Sequence, residues 1–153
     1  MQLYYDHNED RILLKLDAAD KLVLSWLTRR QCLFLIQKGR ESQSSLFEKV
    51  TSTMQSKKKQ TVTKEKVSTI AKYAEQAGNT NKLKCAIIKN AIQISFATDD
   101  NDANINLQLK NGDLQEFIDM LMKLADIANW GLTEALGRME REKQYEKIKK
   151  TIH

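Results

Sequence analysis

Twice along this chain a period of two gives way to a period near 3.6. Ile12, Leu14 and Leu16 alternate, Leu22, Leu24 and Trp26 alternate again, and from Leu33 the apolar residues take helical spacing. The same change recurs further on. Ile92, Ile94 and Phe96, then Ile105, Leu107 and Leu109, are followed by Leu114, Phe117, Ile118, Leu121 and Leu124 at helical intervals. Strands that hand over to a helix, twice, predict an α+β domain. The simplest way to bury all the apolar stripes is one antiparallel sheet with the helices packed on one face.

The punctuation supports this division. Asp17-Ala18-Ala19-Asp20-Lys21 reads as the turn of a hairpin, with Leu3 to Tyr5 as a short edge strand before it. Thr28 with Gln31 has the spacing of a capping box, so a helix begins there and runs, with a weak point at Gly39, to about Met54. Residues 52–63 carry Ser, Thr, Gln and Lys without an apolar stripe and read as a flexible connection. A helix over about 64–77 follows, ended by Gly78 in a left-handed conformation. Asp113 with Glu116 makes an acidic version of the capping box before the next helix, and Gly131 separates it from a charged terminal helix over about 132–150. With no proline and only 5 glycines, few further breaks are available. The expectation is a single domain, 1–153, made of two strand-strand-helix units at 3–54 and 83–129.

Length and composition agree with one domain. The chain has 153 residues, 41% of them hydrophobic and 29% charged, the balance of a soluble globular protein. No window approaches 18 consecutive apolar residues, and no basic region followed by an apolar run opens the chain, so the reading is no membrane span, no secretion and a cytoplasmic location. Cys32 and Cys85, far apart and in apolar surroundings, read as reduced structural thiols. The net charge of +5 is uneven: Lys57, Lys58 and Lys59 form a basic run, and acid gathers at Asp99, Asp100 and Asp102.

The inventory for catalysis is thin. His7 lies in a polar turn and His153 ends the chain, so neither sits where a scaffold would orient it. Metal spacings and glycine-rich phosphate loops are absent, and no cofactor is expected. The acidic turn lacks the glycine and closing glutamate of a calcium loop. Three features remain. Arg29 and Arg30 stand at a helix start, where cations are disfavoured, so they either pair with Asp17, Asp20 or Glu9 or hold an anion or a partner. Leu13, Val23 and Leu27 fall on the outer side of the first hairpin and suggest an oligomer interface. The outer sheet face, with Arg11, Lys15, Lys21 and Ser25 in the first half and Gln93, Ser95, Asn104, Asn106, Gln108 and Lys110 in the second, has no carboxylate. Together with Lys57, Lys58 and Lys59 it suits nucleic acid, although no aromatic is interleaved for stacking.

At Asp10-Arg11-Ile12-Leu13-Leu14 and Trp26-Leu27-Thr28-Arg29-Arg30 the chain resembles a family of small bacterial proteins with a D-R-[IL]-L-L strand and a W-L-T-R-R strand-to-helix junction. The resemblance covers about the first 35 residues and implies no activity and no site residues. The layout of strands and then a helix, twice over, also resembles Whirly and PUR single-strand binders, in topology alone. The expected function is that of a non-enzymatic protein-interaction or assembly module, homo-oligomeric, with single-stranded DNA or RNA binding as the alternative.

Overall fold

The computed structural model describes residues 1–18, 21–47, 67–88, 91–99 and 101–152. The expected connection at 52–63, Lys57, Lys58 and Lys59, Asp20, Asp100 and His153 lie outside them. The fold is α+β: β1 (Gln2–Asp6), β2 (Arg11–Ala18), β3 (Lys21–Leu27), α1 (Arg29–Phe47), α2 (Val67–Gln76), β4 (Gly78–Ile88), β5 (Ala91–Thr98), β6 (Asn101–Lys110), α3 (Asn111–Ile127) and α4 (Leu132–Ile152). None of the described helices is long and apolar enough to cross a membrane.

The six strands form one sheet in chain order, β1 to β6. Neighbours pair antiparallel except at the centre, where β3 and β4 run parallel through Ser25↔Gly78 and Trp26↔Asn79. The sheet is therefore mixed, not the antiparallel one expected. The reason is that α1 and α2 lie between β3 and β4, and a helical crossover lets the chain re-enter the sheet in the direction it left. This central seam is two residue pairs long. Side chains reinforce it: the Ser25 and Thr80 hydroxyls hydrogen-bond to each other while both are buried. Gln31 Nε2 donates to the Thr80 carbonyl at 2.8 Å, and Arg11 Nη1 donates to Asn79 Oδ1 at 2.6 Å.

Register decides which residues face the core. Ile12 pairs with Leu27, Leu14 with Ser25 and Leu16 with Val23, so these six share one face. Leu13 pairs with Trp26 and Lys15 with Leu24 on the other. The expected outer trio of Leu13, Val23 and Leu27 is thus split between faces. Leu13 and Leu27 are each 1% exposed and Val23 is half-buried, so they form no common outer surface. The core face is covered by α1 and α3, with Ile12, Leu14, Leu27, Cys32, Ile36, Ile92, Phe96, Phe117 and Leu121 in one cluster.

The opposite face of β2 and β3 is also apolar, and α2 covers it. Lys15 Nζ donates to Tyr73 Oη at 3.3 Å and lies 4.6 Å from the centre of that ring, on the face that carries Leu13, Leu24 and Trp26. Helices therefore pack on both faces of the sheet rather than on one. Lys15 is buried beneath α2, and Ser25 belongs to the seam on the core side, so neither contributes to an outer basic face. The side chain of Lys21 is outside the description.

Helix boundaries follow local chemistry. The capping box at Thr28 is present: Thr28 N–H donates to Gln31 Oε1 at 2.8 Å and Gln31 N–H donates to Thr28 Oγ1 at 3.3 Å. That expected at Asp113 is not. α3 starts at Asn111 after Lys110, with no side-chain cap, and Asp113 lies in its first turn, where its charge suits the helix dipole. Gly78 ends no helix; it is buried as the first residue of β4. Gly39 marks where α1 and α3 meet, since a Cβ there would lie 2.5 Å from Ile118 Cδ1. The charged α4 docks on α1 through Lys143 to Glu41 and Arg40 to Glu140 (3.5 Å). The bonds from Lys143 and Lys38 hold the Glu41 carboxyl down at about 2.

Asp10 clasps the two ends of the fold. Its Oδ1 accepts from Tyr5 Oη at 2.7 Å and from Trp130 Nε1 at 2.8 Å, joining the β1–β2 turn to the hinge before α4. Tyr5 meets Trp130 edge-on, and Asp10, Asn129 and Gly131 all take positive φ. The bond from Trp130, then that from Tyr5, lowers the Asp10 pKa below its ordinary 3.8, and the bond to Asp10 raises that of Tyr5 above 10.0.

Two predictions follow from this packing. Gly39→Leu should overfill the α1–α3 contact and cost about 1–3 kcal/mol, read as a lower thermal midpoint in circular dichroism; an unchanged midpoint would mean that the helices do not meet at this glycine. Because the folded pKa of Asp10 is depressed, its contribution is present above pH 3.8 and is lost as pH falls through the lower folded value. Asp10→Ala should lower the midpoint at neutral pH, whereas Asp10→Asn, which keeps an acceptor and tolerates positive φ, should restore much of it. Midpoints for both variants equal to that of the unsubstituted chain would show that the clasp contributes nothing.

Candidate functional site

Burial pushes the Cys32 thiol up to about 12 and the half-buried Cys85 thiol up to about 11, which keeps both protonated at neutral pH. The His7 ring stands edge-on to Tyr5, 4.7 Å between centroids. Asp99 is tied within its own corner: Asn81 Nδ2 donates to its Oδ1 at 3.0 Å, and the Asp99 N–H donates to the Asn79 carbonyl at 3.2 Å. Those asparagine bonds, with Asn79 the larger influence, lower its pKa. Among the described residues no group of three or more His, Cys, Asp or Glu is arranged to hold a metal ion.

Arg29 and Arg30 are exposed at the start of α1. Among the described residues neither forms an ion pair; Arg29 lies near enough to Asp10 to help lower its pKa, the smallest of the influences on that group. Asp17 and Glu9, two of the partners expected from sequence, are exposed and make no such bridge among the described residues. Asp20, the third partner expected from sequence, lies outside the described residues.

The face of β4–β6 away from the core has no described helix over it. Pairing sets Lys84 opposite Ser95, Ala86 opposite Gln93, Ser95 opposite Asn106, Gln93 opposite Gln108 and Ala91 opposite Lys110. Lys84, Ala86, Asn106, Gln108 and Lys110 are exposed, and Gln93 and Ser95 half-buried. The amides are ordered by one another: Asn106 Oδ1 accepts from Gln93 Nε2 at 3.2 Å and from Ser95 Oγ at 2.7 Å. Here the sequence reading of the outer face holds in position for Gln93, Ser95, Asn106, Gln108 and Lys110; the Asn104 side chain is outside the description. In the first half, Arg11 keeps a partly exposed place, bonded to Asn79, while the Lys21 side chain is outside the description.

The outer edge of β6 was not singled out by the sequence. It is the last strand of the sheet and ten residues long, whereas β1 at the other edge has five. From Ala103 to Leu109 it contains no charge and no proline, two of the usual devices against edge pairing, and its pairing with β5 is regular from Ile105 to Lys110, the register shifting between Ile105 and Asn101. A signal was available in the run Ile105-Asn106-Leu107-Gln108-Leu109, whose strict alternation marks a strand, but nothing local says that it lies at an edge.

The two arginines permit a clear test. Removing two cations from a helix start offsets the loss of attraction between Arg29 and Asp10, so Arg29→Gln with Arg30→Gln should change stability by less than about 1 kcal/mol. A loss well beyond that in chemical denaturation would place the pair in a buried charge network.

Comparison of the chain with protein-family models, with curated proteins and with solved structures found no match in any of the three.

Proposed function

We propose that this chain works by binding rather than by catalysis, as a cytoplasmic assembly module that recruits its partner by adding a strand to the edge of β6. The carrying observation is that edge: ten residues long, proline-free, and uncharged from Ala103 to Leu109, with no strand of the described sheet beyond it. Strand addition takes its affinity from main-chain hydrogen bonds and its selectivity from alternate side chains. β6 supplies both, since half-buried Ile105 and Leu107 alternate with exposed Asn106 and Gln108. This replaces the first hairpin as the assembly surface. The non-catalytic part of the reading draws on the raised pKa of the buried Cys32 and half-buried Cys85 thiols and on the His7 ring set edge-on against Tyr5. Free thiols at Cys32 and Cys85 suit a reducing compartment.

A second reading, single-stranded nucleic acid, is favoured by the adjoining open face, where Lys84 and Lys110 flank ordered amides. Amides and hydroxyls can meet base edges and the lysines phosphates, although the face has no aromatic on which to stack a base.

One set of measurements separates the two. Light scattering at micromolar protein should give a mass above the monomer, and Asn106→Lys with Gln108→Lys should return the monomer without loss of secondary structure. A wild-type monomer mass at every concentration would overturn strand-addition assembly. For the second reading, affinity for a single-stranded oligonucleotide should fall with salt, and Lys84→Gln with Lys110→Gln should reduce the slope of log K against log salt by about 1.4, near 0.7 per phosphate contact. No binding at low salt would remove nucleic acid.

A further inference from the structure

The two tryptophans of this chain differ in one respect. Trp130 is 2% exposed and Trp26 6% exposed, yet only the Trp130 indole N–H is bonded, to Asp10 at 2.8 Å. A buried indole nitrogen ordinarily finds an acceptor. Among the described residues that of Trp26 has none, and it is not one of the buried polar atoms cut off from solvent. Trp26 lines a cleft of about 480 Å³ between the end of α2 and the face of the sheet beneath it, a volume that suits a small molecule.

The cleft is open because of the residues that α2 sets over it. Ala71, Ala74 and Glu75 share one side of the helix, at i, i+3 and i+4, and Ala77 follows its end. Alanine side chains stop at Cβ and leave the space between helix and sheet unfilled. The floor carries Arg11, which stands opposite Asp6 in the β1–β2 register and donates to Asn79, the residue paired with Trp26 across the seam. Among the described residues Arg11 forms no ion pair, so its guanidinium keeps unused donors on the same cleft as the unused donor of Trp26. Asp6 accepts the N–H groups of Asn8 and Glu9 on Oδ1, at 2.8 and 3.1 Å, which orders the rim of the cleft and leaves Oδ2 unused.

We propose that this cleft binds a small zwitterion with a second positive charge, the chemistry of a free basic amino acid. A guanidinium and an indole N–H together fit a carboxylate. Asp6, Glu9 and Glu75 against Arg11 leave the lining with an excess of two negative charges, which fits an α-ammonium and a cationic side chain. A polyamine would bring no acceptor for either donor and would set a cation against Arg11. An uncharged sugar would leave the charges of both signs unmatched. None of the described lining residues belongs to β6, so the site is independent of strand addition.

Calorimetric titration of the full chain tests this. L-arginine and L-lysine should each bind saturably, at one site per chain, within millimolar concentration. Agmatine, which lacks the carboxylate of arginine, and N-acetyl-L-arginine, which lacks the ammonium, should bind about tenfold or more weakly. Trp26→Phe keeps a ring without the donor and should weaken L-arginine about tenfold. Glu75→Gln, at an exposed position of α2, should weaken it about threefold and keeps the test independent of how Trp26→Phe packs. No saturable binding of either amino acid overturns the site. Agmatine or N-acetyl-L-arginine binding as tightly as L-arginine overturns the zwitterion, and binding that both variants leave unchanged overturns the location.

Discussion

The parallel seam between β3 and β4 holds this fold together as one sheet. It has two backbone pairs, a length that would be marginal by itself, and it is set by side chains drawn from three places. The hydroxyl pair of Ser25 and Thr80 is buried, so each group would be left unsatisfied without the other, an asymmetry that makes the pair specific even where its net contribution is modest. Gln31 completes the arrangement. Its side-chain oxygen caps α1 while its nitrogen reaches the Thr80 carbonyl, so the start of the helix and the start of β4 are located by one residue.

The seam also divides the sheet into halves with different surroundings. Before it, Leu13, Leu24 and Trp26 make the second face apolar and α2 buries that face. Beyond it, Gln93, Ser95, Asn106 and Gln108 make the same face polar, and it is left open. The difference lies in the alternate positions of the strands. The first hairpin has apolar residues at consecutive positions, which calls for two-sided burial, whereas β5 and β6 alternate and need one-sided burial. Open sheet surface therefore accumulates in the C-terminal half, and α2 takes its place in the N-terminal half.

What could be read in advance was what is local. The change of period at Thr28 and Asn111, and the Thr28–Gln31 capping box, depend on residues within a turn or two of each other and were legible. The assignment of Leu13, Val23 and Leu27 to an outer face was not. Ile12-Leu13-Leu14 and Leu22-Val23-Leu24 are apolar without a break, and a choice of one residue reverses which side is inside; the pairing of Ile12 with Leu27 settles it, and pairing is not local. The bond from Trp130 to Asp10 spans 120 residues, so nothing near Asp10 in the sequence marks it as a clasp. The outer face of β4–β6 was legible because its strands alternate, while its β6 edge was not, since strand order is a property of the whole sheet.

Strand order has a further consequence, for the order in which the chain can assemble. Every strand lies beside its sequence neighbour, so each three-stranded meander closes only short loops. The seam is different: Ser25 and Thr80 are 55 positions apart, and bringing them together costs on the order of 3.5 kcal/mol of chain entropy beyond a constant. Two cheap local steps are thus followed by one expensive long-range step, whose return comes from a short ladder and from the helices that close over the core at the same moment. The topology makes the seam the late event of folding, and the same arithmetic makes it the first place where the two halves of the sheet would part.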